Sequence, residues 1–407
     1  MSSSAASETV LVINAGSSSL KFALVDARSG ARLSSGLAER LGSDHAALRV
    51  EGLGSQGTGP LGGGDHRAAV AHILDLVRGL DPSQQPVGVG HRVVHGGERF
   101  ADSAVITDDV VEAIERFSPL APLHNPPGLL GIRAVAEAWP DLPQVAVFDT
   151  AFHQTMPEHA YRYAVPEAWY AENGVRRYGF HGTSHRYVSG RAAELLGRDP
   201  GELALLVAHL GNGCSATAVL GGRSVDTTMG LTPLEGLVMG TRSGDVDPGL
   251  FGFLEEARGM SASAVGAALN QQSGLLGLSG VTNDMRALWE AADGGHHGAT
   301  LAVHVFVYRL AKALSALVVG LGRLDALVFT GGIGENDDRV RAMTVERLGF
   351  LGLEVDAHLN AGHPRGSVGR IGTGNGPEVL VVPTDEELMI AQDTVRLVLG
   401  HAPGGDV

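Results

Sequence analysis

Cysteine is nearly absent from this chain, since Cys214 is the only one in 407 residues. An internal disulfide is therefore excluded, and a reducing compartment, the cytoplasm, is the expected location. Basic residues are also few: 30 of them face 45 acidic residues, which gives a net charge of −15. This balance argues against nucleic acid or a membrane surface as a partner, because both bind basic proteins.

Long apolar runs are scarce as well. We expect no segment to approach the roughly 20 apolar residues of a membrane span, and residues 1–9 lack the basic start of a signal peptide. A soluble protein is expected, and its length is typical of two or three domains. Lysine occurs only at Lys21 and Lys312, so the lysine beside a Gly/Ser turn, Lys21, is notable.

Glycine, in contrast, is abundant, with 58 residues. One group lies in residues 52–64, where we predict a loose surface hairpin or loop. The other glycines separate predicted strands from predicted helices. Strands are predicted at 87–95, 144–149, 325–330 and 379–383. Helices are predicted at 107–117, 127–138, 184–196 (capped by Thr183 or Ser184), 250–257, 261–270, 301–321 and 386–399. This alternation predicts an α/β fold in which helices cover central sheets.

The most informative pattern is a Gly/Ser hairpin that occurs twice. Residues 14–21 and residues 209–215 each lie between two short apolar runs, which predicts strand, tight turn, strand. Small residues let backbone N–H groups approach an anion, while Ser and Asn side chains add donors. Two such hairpins indicate a duplicated nucleotide-binding protein, with a boundary near residue 150 and a cleft between two similar domains.

Polar residues at the ends of predicted strands suggest chemistry. Arg92, Asp149, His181 and Arg242 are the types that phosphoryl transfer uses, because Arg spreads the developing charge and His donates hydrogen bonds. Each has a structural alternative. The arginines could form surface ion pairs, and Asp149 could cap a turn.

Three further alternatives stay open. His181 and His185 have the spacing of zinc ligands, although no third ligand is evident. Asp245 and Asp247 resemble a turn as much as a metal site. We interpret Cys214 as a small turn residue rather than a nucleophile.

The glycines of residues 329–336 follow a strand and open a helix, but they match neither the Rossmann nor the P-loop spacing.

Six motifs, in this order, resemble those of the acetate kinase family: residues 14–19, 91–97, 148–153, 179–185, 209–213 and 329–336. The resemblance extends from about residue 10 to 399. It implies two similar domains of the actin-like ATPase (ribonuclease H-like) superfold with an interdomain cleft. Residues 1–150, with a C-terminal helix at about 386–407 packing back on them, would form one domain. Residues 151–385 would form the second, which binds nucleotide and dimerises.

The resemblance also implies roles for individual residues. Asn14 and Glu386 would be associated with the metal, and Ser17, Ser19 and Lys21 would lie near the transferred phosphate. Arg92 would bind the acetate carboxylate, Arg242 and His181 would stabilise the phosphoryl group, and Asp149 is the family's catalytic acid or base. Because a carboxylate nucleophile is already ionised at pH 7, positioning the metal or the arginines suits Asp149 equally well.

The ATP site would comprise His209, Leu210, Gly211, Asn212, Gly213, Asp284, Met285, Arg286, Gly332, Ile333, Gly334, Glu335 and Asn336. The pocket for the substrate methyl group would comprise Val94, Leu123, Phe180 and Pro233, with His124 near the phosphoryl path.

The function implied is reversible transfer of the ATP γ-phosphate to acetate, with Mg²⁺ (or Mn²⁺) as cofactor, ATP and ADP as co-substrates, and a homodimer as the assembly. Propionate or butyrate kinase activity is the near alternative, and an ATPase switch of the actin or Hsp70 kind is the distant one. The chain departs from the family at Asp385, where Asn is common, and in residues 52–64, which contain few recognisable elements.

Overall fold

The computed structural model describes residues 8–52, 57–61, 64–122 and 124–401. The chain divides into two compact units. The first comprises residues 1–151 and 385–407, and the second comprises residues 152–384.

The strands of the described residues are, in chain order, β1 (Thr9–Ala15), β2 (Ser19–Asp26), β3 (Arg32–Glu39), β4 (Ala47–Gly52), β5 (Gly57–Pro60), β6 (Gly88–Val93), β7 (Ala104–Val105), β8 (Gln144–Phe148), β9 (Ala204–Leu210), β10 (Cys214–Leu220), β11 (Arg223–Thr227), β12 (Ala326–Thr330), β13 (Gly369–Arg370) and β14 (Glu378–Val381).

The α-helices are α1 (His66–Arg78), α2 (Asp108–Phe117), α3 (Asn125–Ala138), α4 (Glu158–Tyr161), α5 (Glu167–Asn173), α6 (Gly182–Leu196), α7 (Gly249–Arg258), α8 (Ala262–Gln271), α9 (Gly274–Ser279), α10 (Met285–Asp293), α11 (His297–Leu321), α12 (Gly331–Asn336), α13 (Asp338–Arg347), α14 (Ala357–Ala361) and α15 (Glu386–Leu399).

The first unit is a sheet covered on both faces. Its strand order is β5-β4-β3-β2-β1-β6-β8-β7. Side chains alternate along β1, so Leu11 and Ile13 join the core with α1 and α3, whereas Val10 and Val12 pack with α15. Because successive side chains of a strand point to opposite faces of the sheet, a strand that is covered on both faces is apolar at nearly every position.

The second unit repeats the central part of this topology. Its sheet has the order β11-β10-β9-β12-β14-β13. In both units an antiparallel three-strand meander (β1–β3, β9–β11) is followed by two strands parallel to the first. The α/β fold and the duplication expected from the two hairpins are therefore confirmed.

Most predicted elements are present, and α15 has the predicted bounds. The predicted cap of the helix at 184–196 was wrong, because α6 begins at Gly182 and its N-cap residue is His181. In the Gly-rich segment, β5 pairs with β4, while residues 53–56 and 62–63 lie outside the described residues. The helix α1 was not predicted.

The helix α11 corrects another expectation. By length and composition it is able to cross a membrane, with 25 residues and a mean hydropathy of 1.6. Ten of its residues, among them Val303, Phe306 and Leu310, are buried, whereas Leu301, Tyr308 and Val319 are exposed. The helix packs against β9, β10 and β11 of its own unit. The core helix of a folded protein can have the same length and composition, so these two properties are weak evidence of a membrane span.

Candidate active site

A cavity of about 610 Å³ opens in the second unit, a size typical of small-molecule sites. Its lining residues come from the β9–β10 hairpin, the start of α10, and α12 with its flanks. They are Gly211, Asn212, Asn283, Asp284, Met285, Arg286, Gly332, Ile333, Asn336, Asp337 and Arg365. Three separate segments expected at the nucleotide therefore meet at one cavity.

Several residues expected at the nucleotide do not line this cavity: His209, Leu210, Gly213, Gly334 and Glu335. The side chain of Leu210 is fully buried. The Glu335 carboxylate instead accepts hydrogen bonds from the backbone N–H groups of Gly331 (2.9 Å) and Thr384 (3.2 Å). Glu335 thus holds the backbone beside the cavity.

The glycine turn at the start of α12 depends on close backbone packing. Gly331 has φ of 76°, and a Cβ there would lie 2.8 Å from the Leu210 carbonyl oxygen. At the other end of α12, the buried Arg341 guanidinium donates to the carbonyls of Gly334 (3.0 Å) and Glu335 (2.9 Å). A cation at a helix C-terminus is stabilised by the unpaired carbonyls there.

Three residues of the cavity were not predicted: Asn283, Asp337 and Arg365. Asn283 donates through Nδ2 to Asn212 Oδ1 (3.0 Å). Asp337 caps α13 and accepts a hydrogen bond from Trp289 Nε1 (2.7 Å). Asn283 adjoins the expected 284–286 motif, whereas Arg365 belongs to a distant loop that no motif indicated.

The turn between β9 and β10 brings a cation close to the backbone. A Cβ on Gly213 would lie 3.2 Å from Arg242 Nη2 and 3.5 Å from His181 Nε2. Arg242 donates through Nη1 to the Pro233 carbonyl (2.7 Å), and burial lowers the pKa of its guanidinium. Within the described part of the chain, Arg242 forms no ion pair with a carboxylate. A half-buried cation with neutral partners is suited to bind an anion.

Two imidazoles are stacked beside this arginine. The rings of His181 and His209 are 4.3 Å apart at 26°. His181 Nδ1 lies 2.9 Å from Ser215 Oγ, and His209 Nδ1 lies 2.8 Å from Ser184 Oγ. His181 has φ of 56°, in the left-handed region, which is uncommon for a residue other than glycine and frequent at functional sites.

A second pair of histidines lies behind His181. His185 Nε2 is 2.7 Å from Ser215 Oγ, and burial lowers the pKa of His185 well below its usual range. His153 Nε2 donates to the Phe180 carbonyl (3.0 Å), and burial lowers the pKa of His153 to about 4. His153 thus fixes the backbone that precedes His181, a contact that the sequence analysis missed.

The zinc alternative for the two histidines lacks further metal ligands among the residues that the structure describes. His181 and His185 both bind Ser215, and the described residues contain no group of three or more His, Cys, Asp or Glu able to hold a metal. The zinc interpretation is therefore unsupported. Cys214 is fully buried, and burial raises the pKa of its thiol to about 12. Both properties argue against a nucleophilic role, because the thiolate is the reactive form.

The aspartates at 245 and 247 serve as turn residues. Asp245 Oδ1 accepts from the Gly236 N–H (2.7 Å), and Asp247 Oδ1 accepts from the Gly249 N–H (2.8 Å) at the start of α7. The Asp247 bond spans two residues, as is typical of turns and caps, whereas the Asp245 bond spans nine residues and closes a larger loop.

In the first unit, the ends of the neighbouring strands β6 and β8 join Arg92 to Asp149. Arg92 Nε and Nη2 donate to the two carboxylate oxygens at 3.1 and 2.6 Å, and Asp149 is 1% exposed. Burial raises the pKa of Asp149 and the Arg92 guanidinium opposes that rise, while Asp149 raises the pKa of Arg92. Glu386 Oε2 lies 3.8 Å from Arg92 Nε. Asp149 therefore orients an arginine rather than capping a turn.

The first Gly/Ser hairpin also lies in this unit. The Gly16 N–H donates to the Ser19 carbonyl (2.8 Å), Ser17 is exposed and Asn14 is half-buried at the end of β1. Lys21 forms an ion pair with Glu387 at 2.7 Å.

The other substrate residues expected in the first unit are Val94, Leu123 and His124. Val94 is buried and His124 is exposed at the start of α3, while Leu123 lies outside the described residues. The neighbouring strand end is fixed by Asn125, which exchanges two hydrogen bonds with the His95 backbone (3.1 and 2.9 Å). In the second unit, Phe180 is buried and Pro233 is half-buried.

Comparison with known proteins gives a consistent result. The model of the acetokinase family matches residues 9–392. Acetate kinase of Deinococcus radiodurans is 59% identical over 96% of this chain and 98% of its own length. Acetate kinase of Ectopseudomonas mendocina is 56% identical over 96% and 98%. Among solved structures, Porphyromonas gingivalis acetate kinase has a TM-score of 0.91 at 44% identity, covering 97% of this chain and 100% of its own. A propionate kinase from Francisella tularensis has a TM-score of 0.90 at 43% identity, covering 96% and 99%.

Proposed function

Because the chain belongs to the acetokinase family, whose members are ATP-dependent phosphotransferases with a carboxyl group as acceptor, we propose that it transfers the γ-phosphoryl group of ATP to acetate, reversibly. The observation that carries this proposal is Arg242, a half-buried cation without a carboxylate partner in the described residues, next to the glycine turn that lines the cavity. The products are acetyl phosphate and ADP.

In the proposed reaction, an acetate oxygen attacks the γ-phosphorus in line with the leaving oxygen of ADP. The new P–O bond forms to the carboxylate while the bond from the γ-phosphorus to the β,γ-bridging oxygen breaks, and the electron pair leaves with ADP. Arg242 stabilises the charge on the equatorial oxygens, and His181 donates a hydrogen bond to the same group. ADP or ATP occupies the cavity lined by Asn212, Asp284 and Ile333.

No general base is required, because acetate is ionised at neutral pH. The two hydrogen bonds from Arg92 to Asp149 support a positioning role for this carboxylate. We assign the acetate carboxylate to the remaining donors of Arg92, and the methyl group to Val94, Leu123, Phe180 and Pro233. Ser17, Ser19, Lys21 and His124 are assigned to the phosphate path.

A divalent cation, Mg²⁺ or Mn²⁺, would neutralise charge on the ATP phosphates when bound. Glu386 fits such a role, since its carboxylate is 27% exposed and its nearest basic group is 3.8 Å away. Asn14 would add an amide oxygen. Two protein ligands suit Mg²⁺, which usually keeps several waters and binds phosphate oxygens.

The decisive experiment traps acyl phosphate as hydroxamate from MgATP with acetate, propionate and butyrate. We expect strong product with acetate and less with each longer acid, because a small pocket loses about 1–3 kcal/mol per misfitted methylene. Preference for propionate would favour the second candidate, supported by the Francisella tularensis relative. Nucleotide binding without acyl phosphate from any acid would leave the ATPase switch.

We further propose a cytoplasmic homodimer that assembles through the second unit, without nucleic acid or membrane as partner. This unit exposes Trp169 (52%) and Phe253 (65%), and large exposed apolar side chains are typical of interfaces. Light scattering of the pure protein tests it: a mass of one chain would contradict the proposal.

A further inference from the structure

Ser215 lies between two imidazoles. Its Oγ is 2.9 Å from His181 Nδ1 and 2.7 Å from His185 Nε2. Ser215 and His185 are fully buried, so water does not satisfy their polar atoms. The hydroxyl has a single hydrogen, so it can donate to one ring and must accept from the other.

The direction of these two bonds follows from the other nitrogen of His185. Nδ1 of His185 is buried and has no hydrogen-bond partner in the described residues. If Ser215 donated to Nε2, the proton of a neutral His185 would be on Nδ1, as a buried N–H without an acceptor. Buried N–H groups without partners are rarer than buried acceptors without partners. His185 therefore has its proton on Nε2 and donates it to Ser215.

The neutral state of His185 is supported by its surroundings. Its ring lies edge-on to the rings of His153 (5.7 Å) and His209 (6.3 Å), and burial with these neighbours lowers its pKa well below the usual value. A neutral His185 ring has one proton, and among the described residues that proton has an acceptor only on Nε2, where it is donated to Ser215 Oγ. The arrangement in which both rings donate to Ser215 would leave the hydroxyl hydrogen without an acceptor, since its described partners are these two nitrogens.

We propose that Ser215 and His185 are positioning residues that fix His181 as the tautomer protonated on Nε2. His185 Nε2–H donates to Ser215 Oγ, and Ser215 Oγ–H donates to His181 Nδ1. The proton of neutral His181 is therefore on Nε2. This atom lies 3.5 Å from the Cβ position of Gly213, which is also 3.2 Å from Arg242 Nη2. This inference rests on the proposed role of His181 as a hydrogen-bond donor to the phosphoryl group.

The tautomer is measured directly by NMR on protein labelled with ¹⁵N-histidine. The signals of His181 are assigned by comparison with a His181→Asn variant. We expect a protonated Nε2 and an unprotonated Nδ1 near pH 7.5, and a protonated Nδ1 would overturn the inference. This measurement needs no turnover. Absence of acyl phosphate with any acid would count against the proposed function alone.

Kinetics test the consequence. Ser215→Ala should lower kcat about tenfold or more while the KM values for ATP and acetate stay within about twofold, because the donor acts mainly in the transition state. The matched control is Thr217→Val, which removes a buried hydroxyl from the same face of β10. It leaves Thr227 Oγ1 bonded to the Ala216 carbonyl at 3.1 Å. Equal kcat for the two variants would overturn the inference.

Substitutions of His185 separate positioning from packing. The Gln side chain of His185→Gln can still donate an N–H to Ser215, whereas His185→Leu fills the space without a donor. We expect His185→Gln to keep kcat within about threefold and His185→Leu to lose about tenfold. If both variants lose kcat equally, or both keep it, His185 does not set the direction of the Ser215 hydrogen bond.

Discussion

At the scale of single residues, the two arginines are held in different ways. Arg92 has a buried carboxylate partner, whereas Arg242 donates to a neutral carbonyl. An arginine with a built-in counter-ion is oriented before any ligand binds. An arginine without a counter-ion is neutralised by the anionic ligand itself. The charge of Arg242 should therefore matter most while the phosphoryl group is being transferred.

The first prediction concerns Arg242. Arg242→Ala should lower kcat by about 10²- to 10³-fold, the usual loss for one transition-state donor, with little change in the KM for acetate. Steady-state kinetics with both substrates measure it. Arg223→Ala removes an exposed arginine of β11 in the same unit and should have no effect. A large rise in the KM for acetate with kcat intact would contradict the proposed role.

The sequence predicted those site residues that belong to recognisable motifs or strand ends. Arg92 lies near the end of β6 and Asp149 directly follows the neighbouring parallel strand β8, so their proximity could be anticipated. Ser215 and Asn283 could not, because a single Ser or Asn has no periodic signal and its role depends on a partner distant in sequence. The left-handed backbone of His181 is likewise invisible in the sequence, because only a small minority of His residues adopt this conformation.

At the scale of elements, hydrophobic spacing predicted the long helices well, and α15 even to its bounds. The helix α1 was missed although the signal was present: Asp65 caps it, and Ala69, Val70, Ile73 and Val77 have helical spacing and are buried. The cap of α6 was missed for a physical reason. Thr183 and Ser184 are good capping types, but tertiary contacts put His181 at that position.

The second prediction concerns the packing of α15 on β6. A Cβ on Gly90 would overlap Ile390 and lie 2.6 Å from Thr394 Oγ1. Gly90→Ala should therefore lower the free energy of unfolding by about 1–3 kcal/mol, as overpacking does. Gly190→Ala is the control, because that position lies inside α6 and a Cβ there would meet nothing within 4 Å. It should raise stability by about 0.5–1 kcal/mol.

Urea denaturation of both glycine variants measures this prediction. If Gly90→Ala proved as stable as Gly190→Ala, the close contact between β6 and α15 would not be part of the native packing.

At the scale of the whole molecule, the buried histidines set the response to acid. Burial lowers the pKa of His91 and of His153 to about 4, and that of His185 well below its usual value. The unfolded chain has its imidazole pKa near 6.5. Between pH 6.5 and about 4 the unfolded state therefore binds more protons than the folded state, so stability falls as the pH falls.

The third prediction follows from this difference. The contribution of each histidine is fully present above pH 6.5, and His91 and His153 should each lose about 3 kcal/mol by pH 4. Chemical denaturation at pH 7.5, 6, 5 and 4.5 measures the slope. His91→Gln should reduce the slope by about 1.4 kcal/mol per pH unit between pH 6 and 4.5. A free energy of unfolding that is constant between pH 7 and 5 would contradict the prediction.

The return of α15 to the first unit has a consequence for the order of synthesis. Val10, Val12 and Val145 belong to strands that precede the second unit in the chain, yet they are covered by Ile390, Ala391 and Val395, which follow it. While the ribosome is still making the chain, one face of the first sheet has no helix to bury it. The second unit, in contrast, is complete once residue 384 has emerged. The unit whose synthesis begins first is thus completed only after the second unit.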